Sequence, residues 1–290
     1  MLIKIIQLLS LSILTVSLTV NGAYAENLTG TLQKISDSGT IRIGHRESSI
    51  PFSYLDSNQK PIGYSIDLCM KVVEDIEKVV GKDLEIKFVP VNPKTRIALM
   101  ANGTIDLECG ATTNSLTRQQ QVEYLPTTFI TGTKLLVRKS SGIGSILDLN
   151  GKVIAISQGT TNERAIRAKV EELNLDVKIL PVRDHLAGFL SLETDRVDAY
   201  STDHIQLFGL ISKSKNPEDF EVVGKFLSFD PYGIMLRRDD SSFELIGKKT
   251  LSGLFRSGEI NAIYDKWFLP LGVPRTELLD AAFQIQALPE

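Results

Sequence analysis

A short loop rich in hydroxyl groups is the first candidate for chemistry in this chain. Residues 109–118 read CGATTNSLTR and follow the strand-like residues 104–107. Their backbone N–H groups, the Thr113 hydroxyl and the Arg118 guanidinium are donors that suit a small carboxylate. The same residues also fit a solvated surface turn, so the assignment depends on the elements around them.

Two further arginines occupy comparable positions in the first half of the chain. Arg46 follows the alternating, strand-like residues 40–44, and Arg96 lies near the start of a short helix predicted for residues 95–103. Strands and helices alternate here, as in a parallel sheet with crossover helices. Because ligands bind outside the carboxyl ends of such strands, we expect both arginines near the loop of residues 109–118.

The alternation of strands and helices starts again in the second half. Thr161 and His185 lie where helices are expected to begin, after strands predicted at residues 152–156 and 176–181. Such helix starts favour an anion, because they carry free N–H groups and a partial positive charge. Asp203 ends a further strand, where it could hold a cation or act as the N-cap of the next helix. The pattern predicts two similar α/β lobes.

Composition and residue spacing exclude several functions. The net charge is −3, and Lys and Arg form no dense cluster, so we expect no nucleic-acid partner. His45 and His204 have no partners at metal-binding spacing, and we expect neither a metal nor another cofactor. Cys69 and Cys109 could form a disulfide in an oxidising compartment or could each be a small buried residue, and the sequence leaves both alternatives open.

The N-terminus is typical of a cleaved export signal. Lys4 precedes the apolar residues 5–20, and Ala23 and Ala25 form a small-x-small cleavage site. The apolar run is shorter than the roughly 20 residues that a spanning helix needs, which disfavours a retained anchor. We therefore expect a signal peptide over residues 1–25, cleavage after Ala25 and a mature protein in a bacterial periplasm.

Several segments, in their order and spacing, resemble the family 3 extracellular solute-binding proteins, which are periplasmic receptors of polar amino-acid ABC importers. The general resemblance lies in SGTIRIG (38–44), GYSID (63–67), NGTID (102–106) and KWF (266–268). The members that bind glutamate and aspartate are the most similar, on GHRESS (44–49), PFSY (51–54), ECG (108–110), TTN (112–114), GTT (159–161), DH (184–185) and YG (232–233).

The resemblance implies the type II periplasmic-binding-protein fold, with two α/β lobes, two hinge crossings and closure on one amino acid. Lobe 1 would comprise residues 26–134 and 229–290, and lobe 2 residues 135–228. The implied partner is an inner-membrane ABC permease and ATPase complex. We expect the receptor itself to be a monomer.

The resemblance also implies a role for each site residue. Arg118, Thr113 and a backbone N–H near Ala111 would bind the α-carboxylate of L-glutamate or L-aspartate, with Thr161 clamping the same group. Asp203 and the Ala111 carbonyl would bind the α-ammonium. The side-chain carboxylate would contact Arg46, Arg96 and His185. Ala111 stands where the similar members carry Ser, which removes one hydroxyl from this set.

Two other functions remain open. One is a receptor for glutamine or asparagine on the same fold. The other is a periplasmic enzyme resembling cyclohexadienyl or arogenate dehydratases, which needs a poised acid or base. Glu47 and Glu108 are the unassigned carboxylates near the candidate site. No nucleophile elbow is present, so we expect a binding protein without catalytic residues.

Overall fold

The computed structural model describes residues 28–289, so the predicted signal peptide and its cleavage site lie outside the described residues. Two mixed five-stranded sheets, each with helices packed against it, form two lobes. Within residues 28–289, no helix combines the length and the apolar character needed to cross a membrane. The predicted α/β fold with two lobes is confirmed.

In the sheet of lobe 1 the first three strands pair in parallel, and the last two pairings are antiparallel. In spatial order the strands are β5 (Glu85–Pro90), β1 (Thr40–His45), β6 (Leu107–Glu108), β15 (Met235–Arg237) and β7 (Val122–Tyr124). The helices of this lobe are α1 (Gly30–Ser38), α2 (Tyr64–Val80), α3 (Arg96–Ala101), α4 (Leu116–Gln119), α8 (Ser241–Ser257), α9 (Glu259–Phe268) and α10 (Glu277–Gln286). A small antiparallel sheet is formed by β2 (Ser48–Ser49), β3 (Ser53–Leu55) and β4 (Pro61–Ile62).

The sheet of lobe 2 repeats this arrangement with residues from the middle of the chain. In spatial order its strands are β11 (Val177–Val182), β10 (Lys152–Ser157), β12 (Ala199–Asp203), β9 (Thr133–Arg138) and β13 (Phe220–Val223). Its α-helices are α5 (Thr161–Glu172), α6 (His185–Glu193) and α7 (His204–Ile211). Short 3-10 helices lie at Lys139–Ser141, Ile146–Leu149, Pro217–Asp219 and, in lobe 1, Leu269–Leu271.

Two antiparallel strands connect the lobes. Strand β8 (Phe129–Thr131) leads into lobe 2 and pairs with β14 (Asp230–Tyr232), which leads back. The aromatic rings of Phe52, Phe129 and Tyr232 pack against one another beside this pair. The predicted boundaries at residues 134 and 228 lie close to these crossings and remain a prediction.

Local patterns predicted most elements, and the exceptions have physical reasons. The apolar spacing of residues 66–80 predicts a helix that ends at Gly81, and the structure has α2 there, with Gly81 in the left-handed conformation. The strand expected at residues 104–107 is instead the two-residue β6. Residues 232–237 read as one strand in the sequence, but the chain leaves β14 at Gly233 and starts β15 two residues later.

A disulfide fastens the hydroxyl-rich loop to a helix. Cys69 on α2 and Cys109 at the end of β6 are bonded, with their Cα atoms 6.2 Å apart. Both residues are fully buried in the core of lobe 1. Of the two alternatives that the sequence left open, the structure therefore has the disulfide. The bond anchors the start of residues 109–118, which carry much of the candidate site.

Candidate ligand-binding site

A small, narrow cavity lies between the two lobes. On the lobe 1 side, residues that follow β1 and β6 line it, together with the start of α3. On the lobe 2 side, the starts of α5 and α6 and the end of β12 line it. The lining residues are Arg46, Arg96, Ala111, Thr113, Thr160, Thr161, Asn162, His185, Asp203 and Gln206. Seven of the eight predicted site residues are among them, and Arg118 is not.

Arg46 and Arg96 form a buried cationic recess at one end of the cavity. Their exposed fractions are 1% and 2%. Arg96 Nη1 donates to the Ala111 carbonyl at 3.0 Å and to the Thr112 hydroxyl. Arg46 Nη2 and Arg96 Nε have no hydrogen-bond partner among the described residues. A buried donor without a hydrogen-bond partner is costly. An acceptor removes this cost, and for a charged donor an anion is the best acceptor.

The Arg46 and Arg118 guanidinium groups have lowered pKa values but stay charged at neutral pH. Burial, and then the charge of Arg96, lower the pKa of Arg46 to about 10, while Glu108, Asp184 and Tyr200 act in the opposite direction. Burial and Arg96 likewise lower the pKa of Arg118 to about 10. At neutral pH both Arg46 and Arg118 are therefore positively charged although they are buried.

Arg118 holds the hydroxyl-rich loop and reaches the opposite lobe. Its Nη1 donates to the Thr113 carbonyl at 2.8 Å, and its Nη2 donates to the Gly159 carbonyl at 3.3 Å. The Thr113 hydroxyl donates to Asp230 at 2.9 Å and lies 3.2 Å from the Thr161 hydroxyl. These contacts cross the cleft directly, so the structure shows the lobes closed on each other.

The start of α5 brings backbone donors to the cavity. Thr160 is the N-cap, and its hydroxyl accepts from the Glu163 backbone N–H at 3.0 Å. Thr161 is the first helical residue, so its own N–H has no partner within the helix. Gly159 has a φ of +78°, and a Cβ there would lie 3.0 Å from the Pro93 carbonyl oxygen of lobe 1. A glycine therefore permits this close approach of the lobes.

His185 is buried and neutral. Its Nδ1 lies 2.8 Å from the Tyr200 hydroxyl and 3.3 Å from the Thr202 hydroxyl. Burial lowers the pKa of His185 well below its ordinary value, and Arg46 and Arg96 lower it further. Burial also raises the pKa of Tyr200, which keeps the phenolic proton available for donation to Nδ1. With Nδ1 as the acceptor, Nε2 carries the hydrogen and can donate to an anion.

Asp203 supplies a carboxyl group to the lobe 2 side of the cavity. It accepts from Asn162 Nδ2 at 2.9 Å and from the Tyr232 hydroxyl. Burial, and then the nearby Asp230, raise the pKa of Asp203 to about 7, although the bonds from Tyr232 and Asn162 act against this rise. Asp203 occupies the predicted N-cap position of α7, but its side chain makes no capping hydrogen bond. A cationic group placed here would relieve the repulsion between the two acids.

Sequence reasoning missed three cavity residues. Thr160 and Asn162 flank the predicted Thr161 at the start of α5, and Gln206 lies in the first turn of α7. The start of each helix was visible, but the helical register that turns these side chains toward the cavity was not. Among residues 28–289, no group of three or more His, Cys, Asp and Glu side chains is arranged to hold a metal ion.

Comparison with known proteins identifies the family. The sequence pattern described as bacterial extracellular solute-binding proteins, family 3, matches residues 41–270. The chain is 44% identical over 246 residues to the L-glutamate/L-aspartate-binding protein of Pseudomonas aeruginosa, covering 84% of this chain and 82% of that protein. It is 39% identical over 262 residues to the glutamate/aspartate import solute-binding protein of Escherichia coli, covering 89% and 87%.

A solved structure supports the fold independently. The cysteine-binding protein from Campylobacter jejuni superimposes with a TM-score of 0.75 at 23% sequence identity, covering 87% of this chain and 98% of that one. At this identity the likeness concerns the fold alone. Together with the family match over most of the chain, it shows that the protein belongs to the family 3 bacterial extracellular solute-binding proteins.

Proposed function

We propose that this protein is the substrate-binding component of an amino-acid ABC transporter and binds L-glutamate or L-aspartate between its lobes. The observation that carries the proposal is the pair of buried arginines whose Nη2 and Nε donors lack partners at the cavity. A charge-assisted hydrogen bond contributes about 1.5–3 kcal/mol, so this recess would select strongly for a side-chain carboxylate. The identities to two glutamate/aspartate-binding proteins support the same ligand class.

The proposed ligand lies along the cavity with its charges matched in order. Its side-chain carboxylate contacts Arg46, Arg96 and the Nε2–H of His185. Its α-ammonium contacts Asp203, whose raised pKa of about 7 falls when that cation is bound. Its α-carboxylate accepts hydrogen bonds from the N–H groups at the start of α5 and from Thr161. Arg118, which also donates to the Thr113 carbonyl, adds its positive charge beside this carboxylate.

Closure would be driven by contacts that exist only when the lobes meet around the ligand. Thr161, His185 and Asp203 belong to lobe 2, whereas both recess arginines belong to lobe 1. A ligand stabilises the closed form only by binding it more tightly than the open form. An amino acid that bridges the two sets supplies this difference.

We also propose the cellular setting. The protein is exported with cleavage after Ala25, acts in the periplasm as a monomer and delivers its ligand to an inner-membrane permease. It performs no chemistry, and the cavity holds no catalytic residue in this proposal. The family's extracellular character and the import function named for its relatives support this setting.

Calorimetric titration of the wild-type protein tests the proposal. The ligands are L-glutamate, L-aspartate, L-glutamine, L-asparagine and arogenate, each followed by product analysis. We expect saturable binding of the two acidic amino acids, at least a hundredfold weaker binding of their amides and no product. Preference for an amide would favour the glutamine or asparagine receptor, and turnover of arogenate would favour the enzyme.

A further inference from the structure

Glu108 is a buried carboxylate that lies behind the arginine recess without lining the cavity. It ends β6 and is fully buried. Its Oε2 accepts from the Thr112 hydroxyl at 2.7 Å, and that hydroxyl accepts in turn from Arg96 Nη1. Its Oε1 has no hydrogen-bond partner among residues 28–289 and lies 4.0 Å from Arg96 Nη1. A carboxylate with so few hydrogen bonds stays buried at a cost, unless nearby positive charge stabilises it.

The backbone leaves room for this carboxylate beside the recess. A Cβ at Gly110 would lie 2.2 Å from Glu108 Oε1 and 3.0 Å from Arg46 Cγ. Glycine at this position therefore lets the carboxylate and the stem of Arg46 pack against the same stretch of backbone. Glu108 is thus close to both recess arginines, and its charge favours the ionised form of Arg46.

The charges of this group do not cancel. Arg46 and Arg96 bring two guanidinium groups against the single carboxyl group of Glu108, and burial lowers the pKa of His185 so that this side chain adds no charge. We propose that Glu108 is a positioning residue whose carboxyl group offsets part of the positive charge of Arg46 and Arg96 and so sets how strongly the recess favours a side chain with a carboxylate. This inference rests on the proposed function and adds the residue that sets the strength of the selection by charge. Without Glu108, an acidic side chain would gain still more over its amide.

Isosteric variants and isosteric ligands test this charge balance. The readout is the ratio of the dissociation constants of L-glutamine and L-glutamate, since the two ligands differ mainly in the charge of one end. In Glu108→Gln we expect this ratio to rise about tenfold over wild type. In Arg46→Gln we expect it to fall at least tenfold. In the double variant Arg46→Gln, Glu108→Gln the net charge is again that of wild type, and the ratio should return to within about threefold.

A purely structural role for Glu108 gives a different outcome. Glu108→Gln would then weaken both ligands equally and leave the ratio unchanged, and the double variant would bind no more selectively than Arg46→Gln. Either result overturns the proposal. If Glu108→Gln does not fold, Glu108→Asp keeps the charge and decides instead: its ratio should stay within about threefold of wild type, and a change of tenfold would overturn the proposal. Failure of wild type to bind glutamate would instead contradict the proposed function, before any variant is measured.

Discussion

The two sides of the cavity differ in how they carry charge. Lobe 1 contributes the buried guanidinium groups of Arg46 and Arg96, whose Nη2 and Nε atoms respectively have no hydrogen-bond partner among residues 28–289. Lobe 2 contributes the neutral His185, the start of α5 with Thr161, and Asp203, whose pKa is raised to about 7. One side therefore presents fixed charge, and the other presents mostly neutral donors.

This difference suggests a division of labour during binding. The cations of lobe 1 can attract and orient an acidic side chain while the cleft is open, because their charge does not depend on closure. The neutral donors of lobe 2 add hydrogen bonds on closure without adding repulsion between the lobes. Selection by charge would then depend on lobe 1, and retention of the ligand on lobe 2. The following predictions test this comparison.

The largest expected effect follows removal of a recess cation. Arg96→Ala should weaken glutamate binding at least a hundredfold with the fold intact. The substitution removes a charge-assisted contact and leaves an empty space where the guanidinium group was. Calorimetry measures the affinity, and circular dichroism checks the fold. Arg238→Ala in the same lobe is the control, because that side chain is half exposed and makes fewer contacts than Arg96. Unchanged binding in Arg96→Ala would remove Arg96 from the site.

The acid of lobe 2 should give the next largest effect. Asp203→Asn keeps the size of the side chain but removes the charge that faces the ligand ammonium, so we expect affinity to fall about ten- to a hundredfold. The exposed Asp219→Asn in the same lobe should bind as wild type. Glutamate binding that is equal in both variants would show that the ammonium group lies elsewhere.

Binding should also depend on pH through Asp203. A bound ammonium lowers its pKa from about 7, so binding releases a proton near neutrality, and affinity rises with pH until Asp203 is ionised in the free protein as well. Between pH 6 and pH 7.5 we expect glutamate affinity to rise about eightfold. Titrations across this range measure the slope. The same titrations of Asp203→Asn should be flat, and a slope that persists there would assign the dependence to another group.

The smallest effect is expected for a neutral contact of lobe 2. Thr161→Val removes one hydroxyl at the start of α5 but leaves the backbone N–H groups, so affinity should fall about three- to tenfold. Stopped-flow measurements should place most of this change in faster dissociation, because Thr161 acts after closure. Thr194→Val, at an exposed position beyond α6, serves as the control. A change confined to the association rate would contradict the assignment of retention to lobe 2.

The position of the site was largely predictable, because it follows from local patterns and one rule of sheet geometry. Arg46 follows a strand, Arg96 opens a helix, and Thr161 and His185 begin helices. Parallel sheets gather such positions at one edge, so the order of strands and helices alone predicts that these residues lie together. The roles of these residues remain predictions until a ligand is bound.

The contacts behind the site could not be predicted in the same way. That Tyr200 would meet His185, and that Glu108 would lie beside Arg96, depends on the tertiary packing of strands that are far apart in sequence. The disulfide between Cys69 and Cys109 likewise depends on how α2 packs beside β6. The small sheet of β2, β3 and β4 could not be predicted either, because its strands have two or three residues and show no periodicity.

A crystal structure of the complex with L-glutamate tests the central claim most directly. We predict that the side-chain carboxylate lies within hydrogen-bond distance of the guanidinium groups of both Arg46 and Arg96, with the α-ammonium at Asp203. A ligand whose side-chain carboxylate points away from both arginines would contradict the account.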